Sequence, residues 1–117
     1  MSSVDMSKHK SDLPYGTLDL FVLRTLETMG PLHGYNISRR IEQAAGSTMR
    51  LSQGAIYPAL IRLEHQAWIR AAWGISETGR KVKIYEITRS GSRQLREQIA
   101  SWEHSTALVA RFLGVKA

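Results

Sequence analysis

Several things are absent from this 117-residue sequence, and each absence excludes a class of protein. It has no cysteine, which excludes disulfides and thiolate metal sites. No apolar run approaches the roughly 18 residues that a membrane span requires, and the start of the chain lacks the apolar segment of a secretory signal. A chain of this length forms one domain with a modest core. We therefore expect a single small domain in the cytoplasm.

Sequence patterns that carry catalysis are also missing. There is no glycine-rich phosphate-binding loop and no serine nucleophile motif. The four histidines are isolated from one another and lack the spacing that holds a metal ion. We therefore predict that the protein is not an enzyme and that it needs neither a cofactor nor a metal.

Positive charge is what the chain has in excess. Its formal net charge is +6, and its isoelectric point lies near 10.1. Residues 35–96 hold eleven lysines and arginines against four acids, a net charge of +7. A basic block of this kind indicates a polyanionic partner. The alternative is a basic surface that is only solvated.

Apolar residues at helical spacing predict two helices in the first part of the chain. The first begins at Pro14 or Thr17 and ends at Met29. Its apolar stripe consists of Leu18, Phe21, Val22, Leu26 and Met29. The Gly30-Pro31 pair ends this helix, and a tight connection at 33–34 leads to a second helix over 35–45.

The segment from Leu51 to Ile69 carries the most informative pattern. One helical face is apolar and consists of Ile56, Leu60, Leu63 and Ala67. The remaining faces carry Gln53, Tyr57, Ile61 and Arg62. A short helix with one buried face and one polar face is suited to a DNA groove.

The start of this third helix depends on Pro58. Ser52 is a good N-cap residue, but Pro58 would then lie inside the helix and remove a hydrogen bond, at a cost of about 3 kcal/mol. If the cap is Gly54, Pro58 falls in the first turn, where its missing N–H does no harm. We therefore favour a regular helix over 54–67.

After Trp68 the pattern changes to that of a β-hairpin. Ile69, Ala71 and Trp73 alternate with other residues as in a strand, and 82–88 is rich in β-branched and aromatic residues. The polar loop between them, 74–81, carries basic residues at its end. The predicted hairpin therefore has a basic tip, formed by Arg80, Lys81 and then Lys83.

The last helix is predicted to begin after a cap at Thr88 and to end near Leu113. A heptad-like seam runs along it through Leu95, Ile99, Trp102, Thr106, Val109 and Leu113. At 1.5 Å per residue the helix would be about 37 Å long, too long for a domain this small to cover. A second copy of the chain is the simplest partner for its second half. The alternative is a helix that folds back onto its own domain.

The order of elements predicts a mostly α fold with a small β-hairpin, a winged helix-turn-helix followed by a long dimerisation helix. The domain would occupy 14–88 and the dimerisation helix 89–117. Residues 1–13 are predicted to be a disordered tail. Lys8 and Lys10 leave open a basic arm that reaches a minor groove.

Ordered blocks of this sequence resemble the PadR family of transcriptional regulators. They read GTLDLFVLRTL (16–26), GPLHGYNI (30–37), GAIYPALIRLE (54–64), WIRAAWG (68–74) and KIYEITRSG (83–91). The resemblance covers about residues 13–102 and is to the short subgroup with a single C-terminal helix. One departure is the wing tip at 79–82, which is less basic than in many members, so wing affinity would be weaker.

The resemblance implies a homodimer that binds double-stranded DNA. Each third helix would enter a major groove and each wing would reach the adjacent backbone, on a pseudo-palindromic operator with half-sites about one helical turn apart. The expected contacts to bases or phosphates are Tyr35, Arg39, Ser52, Gln53, Tyr57, Arg62, Arg80, Lys81 and Lys83. Gln53 could pair with adenine, whereas Tyr57 could instead pack against the wing.

Trp102 has two interpretations. It is a large seam residue that buries area between subunits, or it is a wall of a pocket there. Some short members of the family that this sequence resembles bind planar aromatic or hydrophobic compounds at such a place and then release DNA. The resemblance therefore implies a repressor with a planar hydrophobic or phenolic effector. The rival hypotheses are a winged-helix module that binds a protein instead of specific DNA, and a small-molecule-binding scaffold with weak DNA affinity.

Overall fold

The computed structural model describes residues 16–46 and 48–116, and in them four helices and three strands follow one another. The helices are α1 (Thr17–Met29), α2 (Gly34–Ala44), α3 (Gln53–His65) and α4 (Arg89–Leu113). The strands are β1 (Leu32–His33), β2 (Ile69–Ile75) and β3 (Lys81–Ile87). This order confirms the predicted mostly α winged helix-turn-helix. The predicted tail, with Lys8 and Lys10, lies outside the described residues.

The core forms where α1, α2 and α3 meet, beside the sheet and the first half of α4. Its fully buried members include Val22, Leu23, Leu26, Ile37, Ile56, Leu60, Leu63, Ile69 and Leu95. Each fully buried Leu or Ile contributes about 1.5–3 kcal/mol by leaving water. Among the described helices, none is both long enough and apolar enough to cross a membrane.

Helix α1 is buried over a wider arc than its predicted stripe. Leu23, which lies outside that stripe, is fully buried, whereas Met29 is 45% exposed. The reason is that α1 contacts α2, α3, α4 and β3. A helix that packs against neighbours on several sides buries residues that an amphipathic helix with one apolar face would expose.

Helix α3 begins at Gln53, so the predicted start at Gly54 is wrong. Ser52 is the N-cap, and its Oγ accepts a hydrogen bond from the Ala55 N–H at 3.2 Å. Pro58 therefore lies inside the helix, where it removes the bond to the carbonyl of Gly54. Both residues are exposed, so water can supply the hydrogen bond that the carbonyl loses.

The end of α3 also differs from the prediction, since the helix ends at His65 and not at 67. Ala67 is exposed and left-handed, with φ 61°, so it does not belong to the apolar face. Trp68 packs half-buried against the core. Of the described residues with a side chain beyond hydrogen, Ala67 alone has a positive φ, and it makes the sharp turn that leads α3 into β2.

The sheet contains a third strand that the sequence does not predict. Its order is β1-β3-β2, all antiparallel, and β1 pairs Leu32 with Tyr85. A strand of two residues has no periodicity to reveal it. Strand β2 is also longer than expected and β3 begins one residue earlier than predicted, which leaves a tip at 76–80. Gly74 pairs with Val82 inside β2, and the Ile84 side chain crosses it, 2.9 Å from where a Cβ would stand.

The bounds of α4 match the prediction at both ends. The Thr88 Oγ accepts from the Gly91 N–H at 3.0 Å, and the helix ends at Leu113. Leu95 is fully buried and Ile99 packs against the core. Beyond Ile99 the large apolar side chains of the helix are exposed, Trp102 by 58% and Phe112 by 93%. The second half of α4 therefore projects from the domain rather than folding back onto it.

Thr88 connects α4 to the turn after α3. Its Oγ donates to the Ala67 carbonyl at 2.7 Å while it caps α4, and its N–H donates to the Trp68 carbonyl at 3.0 Å. Gly91 lies against the same Trp68 carbonyl, and a Cβ on Gly91 would stand 2.0 Å from that oxygen. The first turn of α4 can approach so closely only because residue 91 has no side chain.

We expect Gly91→Ala to lower the free energy of unfolding by about 1–3 kcal/mol, because the added methyl overlaps a backbone oxygen that must move. Urea denaturation at equal protein concentration measures this change. Gly54→Ala is the matched control, since a Cβ there meets only Ser52 Oγ at 3.6 Å. The control should be neutral or up to about 1 kcal/mol stabilising. Equal effects of the two substitutions would contradict the close-contact explanation.

Candidate nucleic-acid interface

A groove of about 710 Å³ separates α3 from the β2–β3 hairpin, and it is termed the α3–wing groove below. One wall comes from the starts of α2 and α3, the other from the hairpin. Six of the nine predicted contact residues line it, namely Tyr35, Gln53, Tyr57, Arg80, Lys81 and Lys83. Arg39, Ser52 and Arg62 are not among its lining residues. The fold therefore brings most of the predicted set together on one side of the molecule.

The hairpin wall is the continuation of the core face of the sheet. In β2, Ile69 and Ala71 face inward, and Trp73 follows on the same face, two residues further along. Trp73 lies opposite Lys83 in the ladder, and the Lys81 ammonium stands 5.2 Å from its ring centroid. Beyond the core, the same face of the sheet is therefore solvent-exposed and carries the ring of Trp73 with Lys81 and Lys83 beside it.

Trp73 is a site residue that the sequence analysis missed. Its alternation with Ile69 and Ala71 predicts only a strand, and in the structure the side chain is 64% exposed. The available signal was the hairpin register, because the residue that pairs with Trp73 is a lysine rather than an apolar residue. An exposed tryptophan with a lysine over its face can stack on a sugar or donate its indole N–H to a phosphate.

Lys83 differs from the other basic residues of the wing, because it connects the wing to α3. Its Nζ lies 3.5 Å from Glu64 Oε1 and 5.8 Å from the centroid of the Tyr85 ring. Burial raises the pKa of the Tyr85 phenol, and the nearby Glu64 carboxylate raises it further. The phenol therefore stays neutral, and Lys83 stabilises the groove in addition to its predicted phosphate contact.

At the start of α2, Tyr35 is held between two other side chains. The Arg39 Nη1 donates to the Tyr35 hydroxyl at 3.0 Å, and its guanidinium lies 5.7 Å from the ring centroid. The His33 ring stacks on Tyr35 at 6.4 Å with an interplanar angle of 15°. Arg39 faces a second, smaller hollow that it shares with Arg50 and Gln53. The predicted α2 contacts thus form one ordered cationic and aromatic cluster.

Tyr57 packs against α2 and remains partly open to the groove. A Cβ on Gly34 would stand 3.5 Å from the Tyr57 hydroxyl, an ordinary contact distance, so the ring lies directly against the start of α2. The ring is nevertheless 45% exposed. Ser52 is exposed as well, but its hydroxyl is used in capping α3.

Arg62 lies on a different side of α3 from the groove. Nine residues at 100° each place it half a turn round the helix from Gln53. Its Nη2 stands 2.7 Å from Asp19 Oδ1 and its Nε 3.4 Å from Oδ2, a two-point ion pair between α3 and α1. The contact of Arg62 with DNA stays a prediction, and such a contact would have to compete with Asp19.

The side of α3 that points away from the core carries few hydrogen-bonding groups. Gly54, Pro58, Ile61 and His65 are all exposed there, at spacings of four, three and four residues. These four residues are termed the outward ridge of α3. Apart from His65, the ridge consists of small and apolar side chains, which allow the helix backbone to approach a flat groove floor closely. Exposed apolar groups such as Ile61 can contact thymine methyls.

The site offers no metal chemistry among the residues that the structure describes, where no three His, Asp or Glu side chains could hold an ion. Its character is instead aromatic on both walls, and its cations Arg80, Lys81 and Lys83 lie on the hairpin wall. Phosphate oxygens are recognised by such donors, and base edges by polar side chains at the start of a helix.

Comparisons with known proteins agree with this geometry. The model of the Transcriptional regulator PadR-like family matches residues 22–97. The chain belongs to the PadR-like family. Family membership makes it a transcriptional regulator with a DNA-binding winged helix, and it confirms the prediction that the chain is not an enzyme.

Two solved PadR-like folds illustrate the similarity. A transcriptional regulator from Clostridium thermocellum is 27% identical with a TM-score of 0.74, covering 83% of this chain and 93% of that one. A PadR-like transcriptional regulator from Bacillus cereus is 27% identical with a TM-score of 0.71, covering 97% and 100%. A 37.1 kDa protein in transposon TN4556 of Streptomyces fradiae is 42% identical over 78 residues, 67% of this chain. The chain spans 20% of that relative's length.

Proposed function

We propose that this PadR-like chain is a transcriptional repressor that acts in the cytoplasm as a homodimer on a pseudo-palindromic operator. The observation that carries the proposal is the α3–wing groove, where the start of the recognition helix faces a basic, aromatic hairpin. In this proposal α3 enters the major groove, with Gln53 and Tyr57 toward the bases. The DNA backbone lies against Arg80, Lys81 and Trp73.

The proposed division of the chain is a winged helix-turn-helix over 14–88 and a dimerisation helix over 89–117. Support for a dimer comes from the exposed apolar seam of α4, where Trp102, Val109 and Leu113 follow the buried Leu95 and the half-buried Ile99. A monomer would leave this seam in water, which is unfavourable for a continuous apolar surface. Two such helices would place the two copies of α3 about one DNA turn apart.

Arg80→Ala should weaken DNA binding by a similar factor for all sequences and reduce the slope of log affinity against log salt by about 1, because it removes one phosphate contact. The measurement is a gel-shift titration, over a range of salt concentrations, on the promoter of the protein's own or a neighbouring gene. Arg70→Ala is the matched control, since Arg70 points from the other face of β2 and pairs with Glu86.

An equal change of slope in both variants would show that net charge, and not the groove, attracts DNA. If the wild type shows no salt-sensitive, sequence-preferring binding, the protein-interaction module becomes the better hypothesis. A reporter driven by the bound promoter distinguishes the direction of regulation, because a repressor lowers its output and an activator raises it.

Val109→Glu should convert the dimer to a monomer, because a carboxylate in an apolar seam stays uncompensated when the seam is buried. Sedimentation velocity reads this directly for a chain of 13.2 kDa. Ala107→Glu introduces the same side chain on an exposed position away from the seam of α4 and should leave the dimer intact. A wild-type monomer, or a Val109→Glu dimer, would contradict the proposed interface.

An effector site at the seam is the remaining part of the proposal. Trp102 is 58% exposed in one chain, so it could line a pocket between two. A planar phenolic acid or a flat polycyclic dye should quench tryptophan fluorescence in the wild type, and Trp102→Phe should abolish the quenching. Trp73→Phe, which removes the wing tryptophan, is the control and should keep it. Quenching that survives Trp102→Phe would place the ligand elsewhere.

A further inference from the structure

Ser38 is the one polar residue among the described residues that is buried, with 2% of its surface exposed. It lies on the inner side of α2, one turn after Tyr35. Its hydroxyl donates to the Tyr35 carbonyl at 2.8 Å. A serine hydroxyl has a single proton to donate and keeps lone pairs to accept. Once that proton is directed to Tyr35, the Ser38 oxygen can act toward other groups only as an acceptor.

The group that approaches this acceptor is the side chain of Gln53, at the first turn of α3. The Gln53 Nε2 stands 3.3 Å from Ser38 Oγ. Only the NH₂ end of the amide can donate there, because the carbonyl end would meet an oxygen that has no proton left. Ser38 thus determines the orientation of the Gln53 amide, with the NH₂ group toward Ser38 and the carbonyl oxygen away from it. It leaves the Gln53 carbonyl oxygen and the second N–H for another partner.

Gln53 lines both the α3–wing groove and the smaller hollow beside α2, so its amide lies at the boundary between them. An amide with one acceptor and one donor available matches the major-groove edge of adenine, which offers the N6 amino donor and the N7 acceptor. A glutamine held in place loses less side-chain freedom on binding than a mobile one.

We propose that Ser38 is a positioning residue for sequence recognition, which orients the Gln53 amide so that it reads one adenine in each operator half-site. The inference rests on the proposed function, because it requires that α3 enter a major groove. Ser38 is buried in α2 and does not itself contact DNA in this proposal. Its effect on sequence specificity would act through Gln53.

The test compares operators in which 7-deazaadenine, which lacks N7, replaces one adenine at a time. Fluorescence anisotropy with the full chain should find one position per half-site where the wild type loses affinity. Ser38→Ala should reduce that loss about three- to tenfold, while the losses at other positions stay unchanged. In a Gln53→Ala background, Ser38→Ala should have no further effect at that position. Ser101→Ala, an exposed serine of α4, is the control and should behave as the wild type.

Gln53→Glu keeps the test decisive should Ser38→Ala fail to fold. A carboxylate has no N–H for Ser38 or for adenine N7, and it accepts from the cytosine N4 amino group. The preference at the identified position should therefore change from adenine to cytosine. A retained adenine preference in Gln53→Glu, or an unchanged 7-deazaadenine loss in folded Ser38→Ala, would overturn the inference alone. Absence of sequence-preferring binding by the wild type would overturn the proposed function and this inference with it.

Discussion

The hydroxyl of Thr88 connects the end of α3 to the start of α4, and the positions of the other elements depend on this connection. It donates to the carbonyl of Ala67, just after α3, and accepts from the N–H of Gly91, in the first turn of α4. The turn that follows α3 and the start of α4 therefore meet at one residue, which directly follows β3. The proposed DNA contacts depend on α3, and the proposed subunit contacts depend on α4. The bonds of Thr88 therefore help to determine the angle between these two helices.

Three further contacts support this arrangement. The missing side chain of Gly91 lets α4 lie directly on the Trp68 carbonyl, and Leu95 then anchors the helix in the core. On the other side, Lys83 and Glu64 connect the wing to α3. The α3–wing groove is therefore bounded by elements that are each attached to α3, and its width does not depend on an unsupported hairpin. A preformed groove reduces the ordering cost of binding.

Features with a local signal could be predicted from the sequence, and features that depend on distant partners could not. The bounds of α4 follow from a cap and a sustained period, so they were correct. Strand β1 could not be predicted, because two residues form a strand only where β3 is already in place. Pro58 was misinterpreted because its cost depends on whether water reaches one carbonyl. The ion pair of Arg62 with Asp19 spans 43 positions, and no sequence period reports such a pair.

The outward ridge of α3 has an evolutionary consequence. Gly54, Pro58, Ile61 and His65 are exposed and take no part in the core, so replacing them costs the fold little. The buried side of the same helix is constrained by α1 and α2 and can change only with its neighbours. In the proposed function, where α3 enters the major groove, substitutions along this ridge would change operator preference while the fold is retained. Relatives that regulate different genes would then differ mainly at these few exposed positions of α3.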